Sequence, residues 1–322
     1  MSKLRVAIVR GGPSSEYAES IATGSSVLYG LDRNRYTPLD VVLTRDGVWT
    51  LNGFPFKQER IPYTADVVFN ALHGAFGEDG KFQQQLELYG VPYTGSRVLP
   101  SALAMNKGLA KHSFELAGIK TPRSETVRLG DDIESRAFEI VRTLNTPYVV
   151  KPLASGSSQG VGSVDSFQEL ILALQVILEN NPAALVEELI KGREITVGVV
   201  DSADSSRPHA LMPIEVILPQ GERIWGRSSK ARDAARLVPP ENLEPEKIRQ
   251  AQAVALAAHE ALGLRHYSRT DMILTPRGVF VTEVNSLPGL AENSPYAASL
   301  KAGGLDMSEF LDHIITLAHS GK

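Results

Sequence analysis

The chain has no cysteine among its 322 residues. A disulfide framework, a thiolate zinc site and a cysteine nucleophile are therefore excluded, and the absence fits the reducing cytoplasm in which we expect the protein. The chain also lacks an excess of basic charge, because 33 Lys and Arg residues stand against 37 Asp and Glu residues. We therefore expect neither nucleic acid nor a membrane surface among its partners.

Long apolar runs are missing as well. The run at residues 170–178 is interrupted by Gln175 and falls short of the roughly 18 apolar residues that span a bilayer. Residues 1–10 lead directly into a strand-like run at residues 6–9, without the apolar segment and cleavage site of a signal peptide, so we expect no secretion signal. The 43% of hydrophobic residues is enough for the cores of about two domains or three small lobes.

Strands alternate with helices in the first part of the chain. Strand-like runs at residues 4–9, 41–43, 67–72 and 92–94, with a helix at about 16–31, predict a parallel, doubly wound, Rossmann-like lobe. Ligands of such a lobe lie beyond the carboxyl ends of its strands. We predict that this lobe comprises residues 1–102.

Two further lobes mix strands and helices. A helix at 103–117 leads into a central lobe, predicted at 103–184, and the remaining residues, 185–322, form a third lobe. Residues 219–245 are irregular over more than the roughly 12–15 residues of ordinary loops, which favours a lid. An Ala-rich helix at 245–262, a hairpin and a final helix at 307–318 complete the prediction.

The predicted hairpin carries the most informative side chains. Residues two apart on a strand share a face, so Arg269 lies beside Asp271, and Glu283 beside Asn285. A turn at 276–278 brings the two pairs opposite each other. Two carboxylates and an amide oxygen suit Mg²⁺ shared with substrate phosphates, and Arg269 adds a permanent positive charge. A solvated hairpin face with one ion pair is the alternative.

A glycine- and serine-rich loop, residues 155–162, follows the strand that ends at Lys151. Its glycines let backbone N–H groups surround an anion, so the loop is a candidate phosphate cover, with Lys151 and Lys107 as point charges. It lacks the Lys-Ser/Thr of a Walker A motif. A surface loop with two surface lysines is the alternative interpretation.

Two more polar turns follow strands of the first lobe. Glu16 ends the turn at residues 11–16, and His73 begins the run at 73–80. Both lie where a doubly wound lobe presents its ligand contacts. The alternatives are a first-turn acid that complements the helix dipole for Glu16 and a packed, hydrogen-bonded histidine for His73.

Taken together and in this order, these segments resemble the D-alanine:D-alanine ligases, a family of the ATP-grasp superfamily. The resemblance implies an α/β and α+β ATP-grasp architecture, in which a Rossmann-like N-terminal lobe precedes two α+β lobes that clamp ATP. The resemblance spans residues 4–294. Its matching stretches are Gly11-Gly12-x-Ser14-x-Glu16, His73-Gly74-x-x-Gly77-Glu78-Asp79-Gly80, Pro92-Tyr93-Thr94-Gly95-Ser96, Ser101-Ala102-x-x-Met105-x-Lys107, Lys151-Pro152, Gly156-Ser157-Ser158-x-Gly160, Arg269-x-Asp271 and Glu283-Val284-Asn285-x-x-Pro288-Gly289.

The resemblance also implies roles by matching position. The magnesium ligands would be Asp271, Glu283 and Asn285. The phosphates would be held by Lys107, Lys151, Ser155, Gly156, Ser157 and Ser158. Adenine would be bound mainly by the backbone of Glu187, Glu188, Leu189 and Ile190, and the ribose would be bound by Glu194.

The amino-acid contacts follow from the same resemblance. Glu16 and Ser157 would orient the first amino acid, with His73 close by. Arg269 and the Gly289 N–H would face the reacting carboxylate, and Ser294 would bind the carboxylate of the second amino acid. The implied reaction joins two D-alanine molecules through an acyl phosphate for peptidoglycan synthesis. It uses ATP and two Mg²⁺ ions, which Mn²⁺ can replace, in a protein that we expect to be a homodimer.

The sequence departs from the family in two places. Residues 227–233 contain no aromatic residue where the family's lid carries a tyrosine, although Lys230 matches the neighbouring lysine. Pro295 and Tyr296 follow Ser294 where an aliphatic residue is usual. A ligase of another pair, such as D-Ala with D-Ser or D-lactate, and a nucleotide-binding protein without turnover therefore stay open. An NAD-dependent oxidoreductase is disfavoured, because the turn at 11–16 lacks the third glycine and ends in an acid.

Overall fold

In the computed structural model, residues 3–154, 162–203, 207–225 and 235–321 are described. The first lobe is a five-stranded sheet in the order β4-β3-β2-β1-β5. Strands β1, β2 and β5 are parallel, and β3 and β4 add an antiparallel edge. The strands are β1 (Leu4–Gly11), β2 (Tyr36–Leu43), β3 (Trp49–Leu51), β4 (Phe54–Pro55) and β5 (Val67–Asn70).

The helices of this lobe lie between its strands and after β5. They are α1 (Tyr17–Gly30), α2 (Ile61–Thr64), α3 (Lys81–Tyr89) and α4 (Val98–Met105), with a 3₁₀ turn at Gln58–Arg60. The predicted first helix is confirmed. The strand predicted at 92–94 is wrong as an element, because only the single bridge between Val68 and Tyr93 forms there. Pro92 has no N–H to extend the ladder.

The central sheet is antiparallel, in the order β6-β9-β7-β8. Its strands are β6 (Ser124–Arg128), β7 (Tyr148–Pro152), β8 (Gly162–Val164) and β9 (Ala183–Glu188), and its helices α6 (Ile133–Thr143) and α7 (Phe167–Leu178). Leu170, Leu174 and Ile140 pack with Val150 and Val186 in a core of this lobe's own. Each such buried side chain contributes about 2 kcal/mol of burial free energy.

One helix predicted at 103–117 is two helices in the structure. The chain breaks between α4 and α5 (Lys107–Leu116) at Asn106, where φ is −91° and ψ is 100°. The Asn106 side chain accepts a hydrogen bond from the Leu109 N–H at 3.1 Å and so caps α5. The break begins the second helix at Lys107, one of the predicted phosphate ligands.

The third sheet has six antiparallel strands, β13-β12-β10-β14-β15 with β11 beside β10. Its elements are β10 (Arg193–Val200), β11 (His209–Ala210), β12 (Ile214–Ile217), β13 (Arg236–Val238), α8 (Pro245–Ala261), β14 (Tyr267–Thr275), β15 (Gly278–Asn285), α9 (Pro295–Ala302) and α10 (Met307–His319). The helices predicted at 245–262 and 307–318 are confirmed. The segment 219–245 is not wholly irregular, because β13 pairs with β12.

The first and third sheets share a core. Phe310 and Ile314 of α10 pack with Val6 and Phe69 of the first sheet, together with Tyr296 of α9. This packing fixes α1 against the loop after β15, which is the region that bears on function. Among the described residues, no helix combines the length and the apolar character needed to cross a bilayer. The lobe boundaries at 102 and 184 stay predictions.

Candidate active site

The β14–β15 hairpin places four polar residues together, as its sequence predicted. Arg269 is the register partner of Asn285, and Asp271 that of Glu283. The register shifts between Asp271 and Met272, so the symmetry about the turn changes at the polar end of the hairpin. Arg269 and Asp271 are 7% and 6% exposed, which argues against a solvated face with a surface ion pair.

Asp271 lies at the centre of a hydrogen-bond network. Its Oδ1 accepts from Arg269 Nε at 2.8 Å and from Thr196 Oγ1 at 2.6 Å. Its Oδ2 accepts from Arg269 Nη2 at 2.7 Å and from Asn285 Nδ2 at 3.2 Å. A carboxylate offers about four lone-pair sites, so these four donors fill it.

The guanidinium of Arg269 is held charged by its neighbours. Burial acts to lower its pKa, but the charge and hydrogen bonds of Asp271, and the charge of Glu283, outweigh burial and raise the pKa. The indole ring of Trp225 lies with its centroid 6.0 Å from the guanidinium carbon. Arg269 is therefore a permanent cation between a carboxylate and an aromatic ring.

Three adjoining cavities surround this network. The large cavity has a volume of about 1120 Å³, and the small cavity, about 110 Å³, shares Trp225 with it. A crevice of about 20 Å³ shares Asn285 and Glu78 with the large cavity and Glu283 with the small one. Hairpin residues thus border all three spaces, so ligands in the two main cavities would meet at the hairpin.

The large cavity lies between α1 and the loop that follows β15. Glu16 and Glu19 line it from the start of α1, and Gly289 faces them. A Cβ atom built on Gly289 would lie only 3.0 Å from Glu19 Oε1, so glycine permits the close approach. Thr23, one turn further on, accepts a hydrogen bond from the Leu290 N–H at 3.2 Å and fastens the loop to the helix.

His73 is both a packed histidine and a wall of the large cavity. Its Nε2 lies 2.8 Å from Thr23 Oγ1. Its Nδ1 is 3.7 Å from Glu78 Oε1. Burial acts to lower the pKa of His73, but Glu78, with Glu19 and Glu16, outweighs burial and raises it. The cavity wall therefore favours a protonated imidazole.

Ser294 and Tyr296 have different positions. Ser294 lines the large cavity and caps α9, where its Oγ accepts a hydrogen bond from the Ala297 N–H at 3.2 Å. A hydroxyl can still donate while it accepts, so the cap leaves Ser294 able to meet a carboxylate. Tyr296 is fully buried and donates to Val199 O at 3.0 Å. The tyrosine that departs from the family pattern therefore belongs to the core.

The small cavity is walled by β7, β9, β10 and the hairpin. The residues predicted for a nucleotide that line it are Lys151, Glu187, Glu188, Leu189, Ile190 and Glu194, together with the predicted metal ligands Asp271 and Glu283. The Glu188 N–H donates to Arg123 O and the Leu189 N–H to Pro147 O, each at 3.0 Å. Because these two N–H groups already donate hydrogen bonds within the protein, adenine would have to bind to the other polar groups of the segment.

Lys107 and Lys151 are not surface lysines. Lys107 lines the crevice, with its Nζ 3.6 Å from Glu283 Oε2. Lys151 Nζ lies 2.7 Å from Glu187 Oε2. Every predicted site residue within the described ranges thus borders one of the three cavities. Ser155, Gly156, Ser157 and Ser158 lie outside the described residues, as does the sequence 227–233, so their predicted roles stay predictions.

Sequence reasoning missed several residues of the network. Thr196 stands two residues after Glu194 on β10, and the strand period alone could have placed both on one face. Trp225 lay inside a segment interpreted only as irregular. Lys111 stands one helical turn after Lys107 on α5 and meets Glu187 across the lobe. No local sequence signal indicated that last contact.

The donor set of the hairpin fits a hard cation. Two carboxylates and one amide oxygen are the ligand types that Mg²⁺ prefers. A cation at Asp271 would have to displace one of its four donors. The longest of those contacts comes from Asn285, whose amide oxygen is itself a predicted ligand. Within the described ranges, no three His, Asp or Glu residues gather at one point, so an ion here relies on Asn285, phosphate oxygens and water.

Comparison with known proteins points to one family. The family models described as D-ala D-ala ligase C-terminus and D-ala D-ala ligase N-terminus match residues 114–316 and 52–96. The D-alanine–D-alanine ligase of Geobacter sulfurreducens is 36% identical over 98% of this chain and 94% of its own length.

Solved structures agree with the sequence matches. The D-alanine–D-alanine ligase of Bacillus anthracis complexed with ATP is 30% identical, covers 99% of this chain and 98% of its own, and has a TM-score of 0.82. The VanG D-Ala:D-Ser ligase of Enterococcus faecalis is 29% identical, covers 98% of this chain and 100% of its own, and has a TM-score of 0.86. The fold class predicted from sequence, an ATP-grasp arrangement of α/β and α+β lobes, is confirmed.

Proposed function

Because the chain belongs to the D-alanine–D-alanine ligase family, we propose that it joins two D-alanine molecules in an ATP-dependent ligation for peptidoglycan precursors. One observation supports this most. The large cavity and the small cavity share Trp225, whose ring lies against the Arg269 guanidinium of the large cavity, so a carboxylate bound in one would lie beside a triphosphate bound in the other.

In the first step, the carboxylate of one D-alanine attacks the γ-phosphorus of ATP, and ADP leaves. Arg269 holds that carboxylate, and Lys107 and Lys151 balance the charge on the phosphates. Positioning and electrostatics supply most of the catalysis of such a transfer, so no protein nucleophile is needed. The permanent charge of Arg269, fixed by Asp271, suits this task.

The proposed metal site consists of Asp271, Glu283 and Asn285, and two Mg²⁺ ions, or Mn²⁺, would occupy it with the phosphates. Bound there, the cations would neutralise charge on the transferred phosphoryl group. The chain's own part is to hold the ligands in place: Thr196 and Arg269 fix the Asp271 carboxylate.

In the second step, the amine of the other D-alanine attacks the acyl carbon and phosphate leaves. Arg269 and the Gly289 N–H stabilise the oxyanion that develops. Ser294, at the N-terminus of α9, binds the carboxylate of this second amino acid. Glu16 orients the first amino acid from the start of α1, near His73.

Water must be kept from the acyl phosphate, because hydrolysis would waste ATP. Trp225 lies at the boundary of the two cavities, over the guanidinium of Arg269. We assign it the exclusion of water from the reacting carbon. The chain would act in the cytoplasm as a homodimer, as its family resemblance implies.

A second candidate is ligation of D-alanine to another partner, such as D-serine or D-lactate. The absence of an aromatic residue from the sequence 227–233 favours it, and the neighbour VanG is a D-Ala:D-Ser ligase. Phosphate release from ATP, measured with D-alanine alone and with D-alanine plus each partner, separates the two. We expect turnover with D-alanine alone. Turnover only with another amino or hydroxy acid would replace the proposal, and ATP binding without any turnover would indicate a non-catalytic relative.

A further inference from the structure

A buried lysine of α5 has no part in the mechanism above. Lys111 is only 4% exposed, and its Nζ lies 2.7 Å from Glu187 Oε1 and 2.7 Å from Thr121 Oγ1. Burying a lysine costs desolvation free energy unless the ammonium is paired, and here the carboxylate of Glu187 is the partner that offsets this cost. It borders none of the three cavities described above.

Lys111 shares its carboxylate partner with Lys151. The second oxygen of Glu187, Oε2, lies 2.7 Å from Lys151 Nζ, and Glu187 and Lys151 are 3% and 5% exposed. Burial acts to raise the pKa of Glu187, but the two lysines outweigh burial and lower it. Burial, and then the charge of Lys151, lower the pKa of Lys111 against the pull of Glu187.

The charge count of this triad matters for a phosphate ligand. One carboxylate between two ammonium groups cannot neutralise both, so the triad of Lys111, Glu187 and Lys151 keeps one net positive charge beside the small cavity that Glu187 and Lys151 line. Without Lys111, Glu187 and Lys151 would form a neutral one-to-one pair. A neutral pair attracts a triphosphate less than an excess cation does.

The same lysine also connects the two walls of the small cavity. Thr121, which accepts from Lys111, donates to Val281 O at 2.9 Å on β15. Glu283 lies two residues further along that strand. The contacts therefore run from Lys151 on β7 through Glu187 and Lys111 to the strand that carries a predicted metal ligand.

We propose that Lys111 is a positioning residue for nucleotide binding, which shares the Glu187 carboxylate and so keeps the ammonium of Lys151 available to the phosphates. The proposal rests on the proposed function only in that the small cavity holds the triphosphate. A purely structural lysine would instead affect the stability of α5 without a selective effect on the nucleotide.

The test measures binding of a non-hydrolysable ATP analogue with Mg²⁺ by calorimetry, without amino acids, to Lys111→Met, Lys111→Arg and the double variant Lys111→Met/Glu187→Gln. We expect Lys111→Met to weaken binding, and to raise the KM for ATP, by about tenfold. The KM for D-alanine should change less than twofold. Lys111→Arg should restore most of the affinity, and the double variant should recover it because Lys151 is no longer neutralised.

Lys120→Met is the matched control, because Lys120 Nζ contacts the same hairpin through Arg277 O at 2.6 Å and is not among the groups bonded to Glu187. It should leave ATP affinity unchanged. Analogue affinity within twofold of the parent in Lys111→Met, or a double variant that binds more weakly than the single one, would overturn the proposal. A failure of both Lys111→Met and the double variant to fold would overturn it as well. Binding of the analogue without turnover in the parent protein would instead count against the proposed function alone.

Discussion

The two main cavities differ in how their walls are built. The small cavity is walled mainly by strands, and its lining includes the short buried ion pair of Glu187 with Lys151. The large cavity lies between the start of α1 and the loop at 286–294. The proposed nucleotide and metal ligands thus lie mainly on strands, whereas the proposed amino-acid contacts lie mainly at the start of α1 and in the loop after β15.

The sharpest way to test that contrast is Glu283→Gln on β15. It keeps the shape of the side chain and removes the charge that faces Lys107 and would bind the proposed metal ions. We expect kcat for D-alanine-dependent phosphate release to fall by about 10³-fold or more, with an unchanged circular dichroism spectrum and Tm. Glu246→Gln, an exposed acid of α8, is the control. Near-normal turnover would refute the metal role of Glu283.

Arg269→Lys tests the border between the cavities. Lysine keeps the charge but cannot reproduce the two hydrogen bonds to Asp271. We expect kcat to fall by about 10²-fold. Arg193→Lys removes a similar two-bond pair, with Glu215 on the same sheet, and should leave kcat within a few-fold of the parent. An equal loss of kcat in Arg269→Lys and Arg193→Lys would mean that the substitutions disturb the sheet and do not act on the reaction itself.

Trp225→Ala addresses the exclusion of water. We expect more phosphate to be released than dipeptide formed, because water would reach the acyl carbon, with an excess of a few-fold. Phosphate and dipeptide are measured in the same reaction. Trp49→Phe, which changes the only other tryptophan, should keep the ratio at one. A ratio of one in Trp225→Ala would contradict this role.

The smallest expected effect concerns His73 and the pH dependence of stability. Its raised pKa means that the folded protein binds the proton more tightly than the unfolded chain, whose histidines titrate near about 6.5. This stabilisation is complete below that pH and is lost as the pH rises through the higher folded value. His73→Gln should therefore flatten the fall of Tm above about pH 6.5. A parallel curve would contradict the assignment.

Several parts of this arrangement could be predicted from local sequence. The alternation of β14 and β15 about a Pro-Arg-Gly turn predicted that Asp271 faces Glu283, and the register confirms it. Strand-to-helix turns placed Glu16 and His73 at one edge of the first sheet. The alternation of side chains along a strand and the residues of a turn determine such features within a few residues. They can therefore be predicted from a single sequence.

Other parts depend on contacts between distant segments. Lys111 meets Glu187 across 76 residues, and nothing near either residue indicates the pairing. Tyr296 looked like a change at the second amino-acid site, but it packs with Tyr267 and Phe310 in the core. The helix break at Asn106 was missed because residues 103–117 are helix-forming on both sides of it. Tertiary packing decides these features, and local propensity does not encode it.

The central claim is that a carboxylate in the large cavity attacks a triphosphate in the small one. D-alanine labelled with ¹⁸O in its carboxylate tests this directly, with mass spectrometry of the inorganic phosphate released during turnover. An acyl phosphate requires one labelled oxygen in each phosphate, because the carboxylate oxygen that attacks phosphorus leaves with it. Phosphate free of ¹⁸O, released in step with dipeptide, would contradict the account.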